Sequence, residues 1–224
     1  MPSQNVEEYM EALYRLGAAA KPVGTVALAE NLHVVAPSVT TMLKRLVRDG
    51  LVTHEPYRGT LLTEAGRTMA VSLLRRHRLS ERLLTDMIGL PWEKVHDVAC
   101  KLEHVITGDL EENVFDALGR PETCPHGYRM DGADSIVDFT LFDMPVGETA
   151  RVVIVSEESG DFLKYMAEVG LVPGGEVVVV ERSPLRDVLT VIVGGQSRTI
   201  SKDVAGKVWV RVSEELKRKA EDNP

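Results

Sequence analysis

The chain has 224 residues, a net charge of −8, 44% hydrophobic residues and 27% charged residues. That is the balance of a globular protein of two modules or one large one, and no apolar run approaches the ~20 residues a membrane-spanning helix needs. The start MPSQNVEEYM lacks the basic head and apolar core of a signal peptide, and two cysteines suit a reducing compartment better than a disulfide scaffold, so a cytoplasmic location is expected.

Residues 6–16, VEEYMEALYRL, place Val6, Tyr9, Met10, Leu13 and Leu16 at helical spacing. Lys21-Pro22-Val23-Gly24 ends that helix, and Thr25–Leu32 reads as a short second one. Pro37 suits the first turn of a third helix, because its missing N–H needs no partner there. Val39, Met42, Leu43, Leu46 and Val47 form its apolar stripe, and Gly50 stops it. LVTHEPYRGTLLT then reads as two short strands around Tyr57-Arg58-Gly59. Three helices followed by a hairpin, in this order and at these lengths, make a winged helix-turn-helix.

Charge distribution supports a phosphate-binding surface despite the acidic total. From Val35 to Arg78 there are eight basic residues (Lys44, Arg45, Arg48, Arg58, Arg67, Arg75, Arg76, Arg78) against Asp49, Glu55 and Glu64. The local excess is +5, so the rest of the chain carries −13. A basic segment in an acidic protein can bind nucleic acid, although the same charges also suit a solvated helix face.

Residues 64–88 read as a long helix, a second is expected from Leu90-Pro91-Trp92 to about Thr107, and a third over Asp109–Leu118. Pro121, Pro125 and Gly127 mark a loop. From about residue 145 the texture changes to short β-branched runs, ARVVIVS, EVVVVER, LTVIVGG and KVWVRVS, interrupted by the helical DFLKYMAEVG. These read as a small β-barrel, followed by the charged tail SEELKRKAEDNP. The fold class is therefore mostly α with a C-terminal all-β module. It divides into a winged helix-turn-helix over 1–74, a helical domain over 75–140 and the barrel over 141–215.

Metal-capable side chains recur along the chain. On one helix, at ~100° per residue, His96, Cys100, Glu103 and His104 share an arc of about 100°. His77 and Glu81 lie one turn apart, Glu8 and Glu11 also recur at helical spacing, Cys124-Pro125-His126 sits in the loop, and Glu158 and Asp161 flank the short helix of the barrel. Each pair alone is an ordinary surface pattern, and a lone cysteine is ordinarily a small buried hydrophobe. Several such groups behind a winged helix-turn-helix favour ligands.

At these residues the chain resembles the diphtheria toxin repressor family of metal-dependent transcriptional regulators. The resemblance is carried by APSVTTMLKRLVRDGLV, RGTLLTEAG, RRHRLSERLLTDMIGLPWEKVHDVACKLEHV and the CPHG loop, and LFDMPVGETARVVIV with GLVPGGEVVVV resembles a FeoA module. It implies an N-terminal DNA-binding domain, a helical metal-binding and dimerisation domain, and a barrel. Carried over by position, the principal metal site would use Cys100, Glu103 and His104 with a side chain of the first helix. The iron-responsive branch has methionine there; this chain has Glu8, with Glu11 three residues on, and His77 matches a histidine of the manganese-responsive branch. That branch often has glutamate where this chain has Cys100.

A second site is implied as well, so two ions per subunit are expected. Glu81, Cys124, His126 and Asp161 match members with a CPHG loop, whereas in the iron branch His77, Glu81 and His96 act with residues that map to Glu158 and Asp161. The carboxylate-rich principal set favours hard manganese(II), with iron(II) as the alternative, over tetrahedral zinc. The resemblance further implies a homodimer on double-stranded operator DNA, repressing metal-homeostasis genes. Its DNA-facing residues would be Pro37, Ser38, Thr40, Thr41 and Lys44, with Arg58 on the wing. Iron-branch relatives have a polar residue at Val35, which suggests a different operator. A metalloenzyme is the rival class, but there is no HExxH and no separate acid–base constellation. A metal-storage or transport-accessory role, suggested by the FeoA-like segment, is disfavoured by the winged helix-turn-helix.

Overall fold

The computed structural model describes residues 3–133, 136–183 and 187–212, so the charged tail SEELKRKAEDNP lies outside the described residues. The chain separates into two compact units, Met1–His77 with Glu103–Thr107, and Arg78–Leu102 with Gly108–Pro224. The short return segment Glu103–Thr107 belongs with the N-terminal residues.

The first unit holds α1 (Gln4–Arg15), α2 (Thr25–Asn31), α3 (Ala36–Arg48), the hairpin β1 (Val52–Glu55) and β2 (Gly59–Leu62), and the start of α4 (Glu64–Arg82). Val6, Met10 and Leu13 of α1 pack with Leu28 of α2, Val39, Leu43 and Leu46 of α3 and Val52 of β1. The α3 stripe at i, i+4 and i+7 is buried, which turns Ser38, Thr40, Thr41 and Lys44 outward. Truncating Leu43 to alanine is expected to cost about 2–5 kcal/mol, as for other fully buried leucines. The hairpin is antiparallel with Val52 opposite Leu62 and Glu55 opposite Gly59.

The entry to α4 explains the sequence Thr63-Glu64-Ala65-Gly66. Thr63 Oγ1 accepts from the Gly66 amide at 3.1 Å and donates to the Gly50 carbonyl at 2.7 Å. This caps the helix and fastens it to the turn after α3. A Cβ at Gly66 would lie 2.0 Å from the Leu51 carbonyl oxygen, so only glycine lets the two segments approach.

In the second unit α4 ends in a π-helical turn, Leu83–Met87. The single helix expected up to Thr107 is broken. Pro91 is extended (ψ 137°), Trp92–Lys94 form a 3-10 turn, and α5 covers His96–Leu102 only. Residues 103–105 are a turn, so the helical wheel drawn through His96, Cys100, Glu103 and His104 stops at Leu102. α6 follows at Asp109–Ala117.

The C-terminal module is a six-stranded antiparallel sheet ordered β3-β8-β4-β5-β6-β7. Its strands are β3 (Phe139–Thr140), β4 (Thr149–Val155), β5 (Glu176–Ser183), β6 (Val188–Val193), β7 (Gln196–Ser201) and β8 (Val208–Val212). α7 (Gly160–Val169) and the short α8 (Lys202–Ala205) complete it, with Leu163 and Met166 of α7 packed on Val152, Val177, Val191 and Val208. β7 escaped the sequence reading because it is a polar edge strand; only Ile200 of QSRTIS is buried.

Candidate functional site

Among the described residues, metal-capable donor atoms gather within each unit. In the first, α1 supplies Glu11, α4 supplies His77 and the return turn supplies Glu103. One donor atom of each lies within 4.8 Å of the others. His77 Nδ1 is 2.6 Å from Glu103 Oε2, with both side chains almost wholly buried. His104 adds its Nε2, 3.5 Å from Glu103 Oε1. Burial, aided by the charge of Glu11, raises the Glu103 carboxyl above the ordinary glutamate range, while the hydrogen bond and charge of His77 and the charge of His104 oppose the rise. A divalent cation among these groups would offset the cost of holding two carboxylates together. Oxygen and imidazole donors also suit manganese(II) or iron(II).

The expected first-helix pair is split by the structure. Glu11 faces the group, but Glu8 is exposed and accepts from Gln4 Nε2 at 3.2 Å. The buried acid is instead Glu7, which sequence reasoning missed. Its Oε1 accepts from Arg76 Nη2 at 2.9 Å, and its Oε2 lies 2.7 Å from His104 Nδ1. The signal was available: at ~100° per residue Glu7 lies 40° from Glu11 and 60° from Met10, nearer the core-facing side than Glu8. Cys100 belongs to the other unit, where its sulfur is 3.7 Å from His96 Nε2, one turn back on α5.

In the second unit Glu81, Cys124 and His126 form a buried triad, and Glu81 with the half-buried His96 and Glu158 forms another, each with donor atoms within 4.8 Å. Glu81 is common to both. His126 Nδ1 is 3.1 Å from Glu81 Oε1, and His96 Nδ1 is 3.1 Å from Glu158 Oε2. Desolvation lowers the His126 pKa, but hydrogen bonding and charge from Glu81, with the charge of Glu158, outweigh it and leave the value raised. Burial, reinforced by Glu81, pushes the Cys124 thiol far up, so it is protonated unless a cation displaces the proton. Asp161 sits exposed on the first turn of α7 and joins none of these triads.

The CPHG loop owes its shape to its glycine. Gly127 has φ +95°, and a Cβ there would lie 1.8 Å from the Val153 carbonyl oxygen. Arg82 Nε donates to the Thr123 carbonyl at 2.7 Å, and the Cys124 amide donates to the Tyr128 carbonyl at 2.8 Å. The two ligand-type residues are thus held by backbone contacts on both sides.

On α3 the expected DNA-facing residues Pro37, Ser38, Thr40, Thr41 and Lys44 are all exposed. The Thr40 and Thr41 hydroxyls donate back to the Ala36 and Pro37 carbonyls at 3.1 and 3.0 Å. Val35 caps the helix and is 68% exposed. Arg58 stands exposed between β1 and β2 and pairs with Glu55 at 3.0 Å, an exposed pair of the kind that contributes little stability. Tyr57 beside it is wholly exposed with φ +65°.

Comparison with known proteins agrees along the chain. Residues 1–60 match the N-terminal DNA-binding domain of iron-dependent repressors, residues 63–131 their metal-binding and dimerisation domain, and residues 139–212 the FeoA domain. The chain is 33% identical over 220 residues to the iron-dependent repressor IdeR of Mycobacterium leprae (strain TN), covering 91% of this chain and 95% of that one. It is 40% identical over 132 residues to the diphtheria toxin repressor of Corynebacterium jeikeium (strain K411), covering 59% and 55%. Among solved structures, a manganese-dependent transcriptional repressor in complex with manganese superposes with a TM-score of 0.83 at 28% identity, covering 93% of this chain and 100% of that one. The manganese regulator SloR superposes with a TM-score of 0.75 at 27% identity, covering 95% and 100%. No helix among the described residues is long and apolar enough to cross a membrane.

Proposed function

Since the chain belongs to the iron-dependent, or diphtheria toxin, repressor family of metal-dependent transcriptional repressors, we propose that it is the manganese(II)-responsive kind, acting as a homodimer on operator DNA of metal-homeostasis genes. It is a regulator, not an enzyme. The observation that carries the metal assignment is the Glu11–His77–Glu103 group, two hard carboxylates and an imidazole drawn from three segments of one unit. We assign Glu11, His77, Glu103 and His104 to the principal site. Glu8 and Cys100 join the proposed set on the resemblance. For a second ion the supporting residues are Glu81, Cys124 and His126, with His96 and Glu158 beside them and Asp161 carried by the resemblance.

A bound ion supplies charge and a fixed geometry rather than chemistry. The protein's own residues do the rest. Glu103 of the return turn, with His104 beside it, meets Glu11 of α1 and His77 of α4, so holding them together would stiffen the unit that carries α3. In a dimer the two recognition helices must sit about one turn of DNA, ~34 Å, or a multiple of it apart. Pro37, Ser38, Thr40, Thr41 and Lys44 would face the major groove, and Arg58 a phosphate. Metal then shifts the population toward the DNA-competent arrangement, by no more than its differential affinity for the two states.

The iron(II) reading has its own support in the soft Cys100 sulfur and in the iron-dependent repressors among the relatives. Fluorescence anisotropy of metal-free protein on its own promoter DNA separates the two. Manganese(II), then iron(II) without oxygen, is titrated at one salt concentration, because phosphate-driven affinity depends on salt. Tight binding with manganese(II) alone is the expected result. Equal activation by iron(II) would replace the manganese assignment, and binding indifferent to metal would sink the mechanism.

A further inference from the structure

Glu7 has a role that the ligand assignments above do not use. It sits on α1 one turn before Glu11, is 8% exposed, and has both oxygens engaged: Oε1 by Arg76 Nη2 at 2.9 Å and Oε2 by His104 Nδ1 at 2.7 Å. A carboxylate only accepts, so the proton of that second bond is on the imidazole, and Nδ1–H donates. In the neutral ring the other nitrogen, Nε2, then keeps its lone pair, 3.5 Å from Glu103 Oε1. Two acceptors at that separation leave room for a shared proton or cation. The carboxylate–histidine arrangement is the one by which outer residues fix the tautomer and orientation of a liganding ring.

We propose that Glu7 is the positioning residue of the principal metal centre, held by Arg76 and in turn holding His104 with Nε2 turned toward the donor group. Glu7 is not itself a ligand, because both of its oxygens are committed elsewhere. The ion pair has a reason to be buried: Arg76 neutralises Glu7, and without it a further uncompensated carboxylate would stand next to the group. The inference rests on the metal assignment made above. It differs from a purely structural Glu7–Arg76 bridge in one respect: Glu7 must act through His104.

The test is manganese(II) affinity of DNA-free protein, read from the free-ion electron paramagnetic resonance signal. Glu7→Gln should weaken binding roughly 10–100-fold, the usual effect of losing such an outer partner. His104→Gln should weaken it too, and adding Glu7→Gln to His104→Gln should weaken it no further, since coupled residues are not additive. The charge-free pair Glu7→Leu with Arg76→Met guards against a fold damaged by an orphaned arginine, and should show the same loss as Glu7→Gln. Wild-type affinity in both the Glu7→Gln and the paired variant overturns the inference, as do fully additive losses with His104→Gln. Glu103→Gln separates this failure from a failure of the metal assignment. If Glu103→Gln also binds as wild type, the centre is not at these residues and both readings fall; if it loses affinity while the Glu7 variants do not, only the positioning role falls.

Discussion

The two donor groups are built from similar residues but pay for burial differently. In the first unit the cost sits on a carboxylate: Glu103 is buried beside Glu11, and its pKa rises against the pull of His77 and His104. In the second it sits on a thiol: Cys124 is buried beside Glu81, and its pKa rises as well. A cation displaces the proton of either group when it binds, and the buried thiol holds its proton firmly. On the proposed assignment, the first group, with its carboxylates, suits a hard ion. The second favours an ion that can draw thiolate character out of Cys124.

The sharpest way to break this comparison is to remove one ligand from each group. Glu103→Gln or His77→Gln should abolish manganese-stimulated operator binding, a loss larger than the roughly 10–100-fold expected of an outer residue. Cys124→Ser should leave most of the manganese response. The measurement is anisotropy on promoter DNA with and without metal. Equal losses from both groups would mean that they do not divide the work as argued.

A smaller but still large effect is expected at Gly127, which sharpens the comparison from the side of the scaffold. The second group depends on a loop that passes against Val153, and an added Cβ would collide with that carbonyl at a φ unfavourable to other residues. Gly127→Ala should cost at least about 1–3 kcal/mol of stability, the usual range for a strained backbone position, with a lowered melting temperature as the readout. Manganese affinity at the Glu11–His77–Glu103 group should change little, because that group belongs to the other unit. A melting temperature equal to wild type would show that the loop relaxes freely.

Much of this was legible in the sequence, for identifiable reasons. The stripe Val39, Leu43 and Leu46 gave α3 and its exposed face, because an amphipathic period needs no tertiary information. Glu11, His77 and Glu103 were singled out as ligand-type residues from spacing and resemblance, and they converge. The helical phase separates Glu7 from Glu8, but the partners that engage Glu7, Arg76 and His104, lie 69 and 97 residues away and no local pattern announces them. The break after Leu102 was missed because the periodicity of His96, Cys100, Glu103 and His104 fits a continuous helix, while the buried bond from Glu103 to His77 goes with a turn. The edge strand β7 carries no apolar alternation to announce it.

The smallest expected effect concerns a glutamate whose pKa moves the opposite way from that of Glu103. Glu157 is the same residue type in the second unit, partly exposed, and its pKa is lowered, first by a hydrogen bond from Lys207 Nζ at 2.8 Å and further by the Ser159 amide at 3.2 Å. A carboxylate whose folded pKa is depressed adds stability that is present above its unfolded pKa and is lost as pH falls through the folded value. Glu157→Gln should therefore destabilise the protein at neutral pH and converge on wild type in acid. Since its side chain is 34% exposed and that of Lys207 44%, solvent screening limits the difference to about 0.2–1 kcal/mol. Denaturant midpoints of the two proteins across acid pH measure it. A difference that stays constant down through the folded pKa would mean that Glu157 contributes by packing rather than by charge, and the contrast with Glu103 would lose its electrostatic basis.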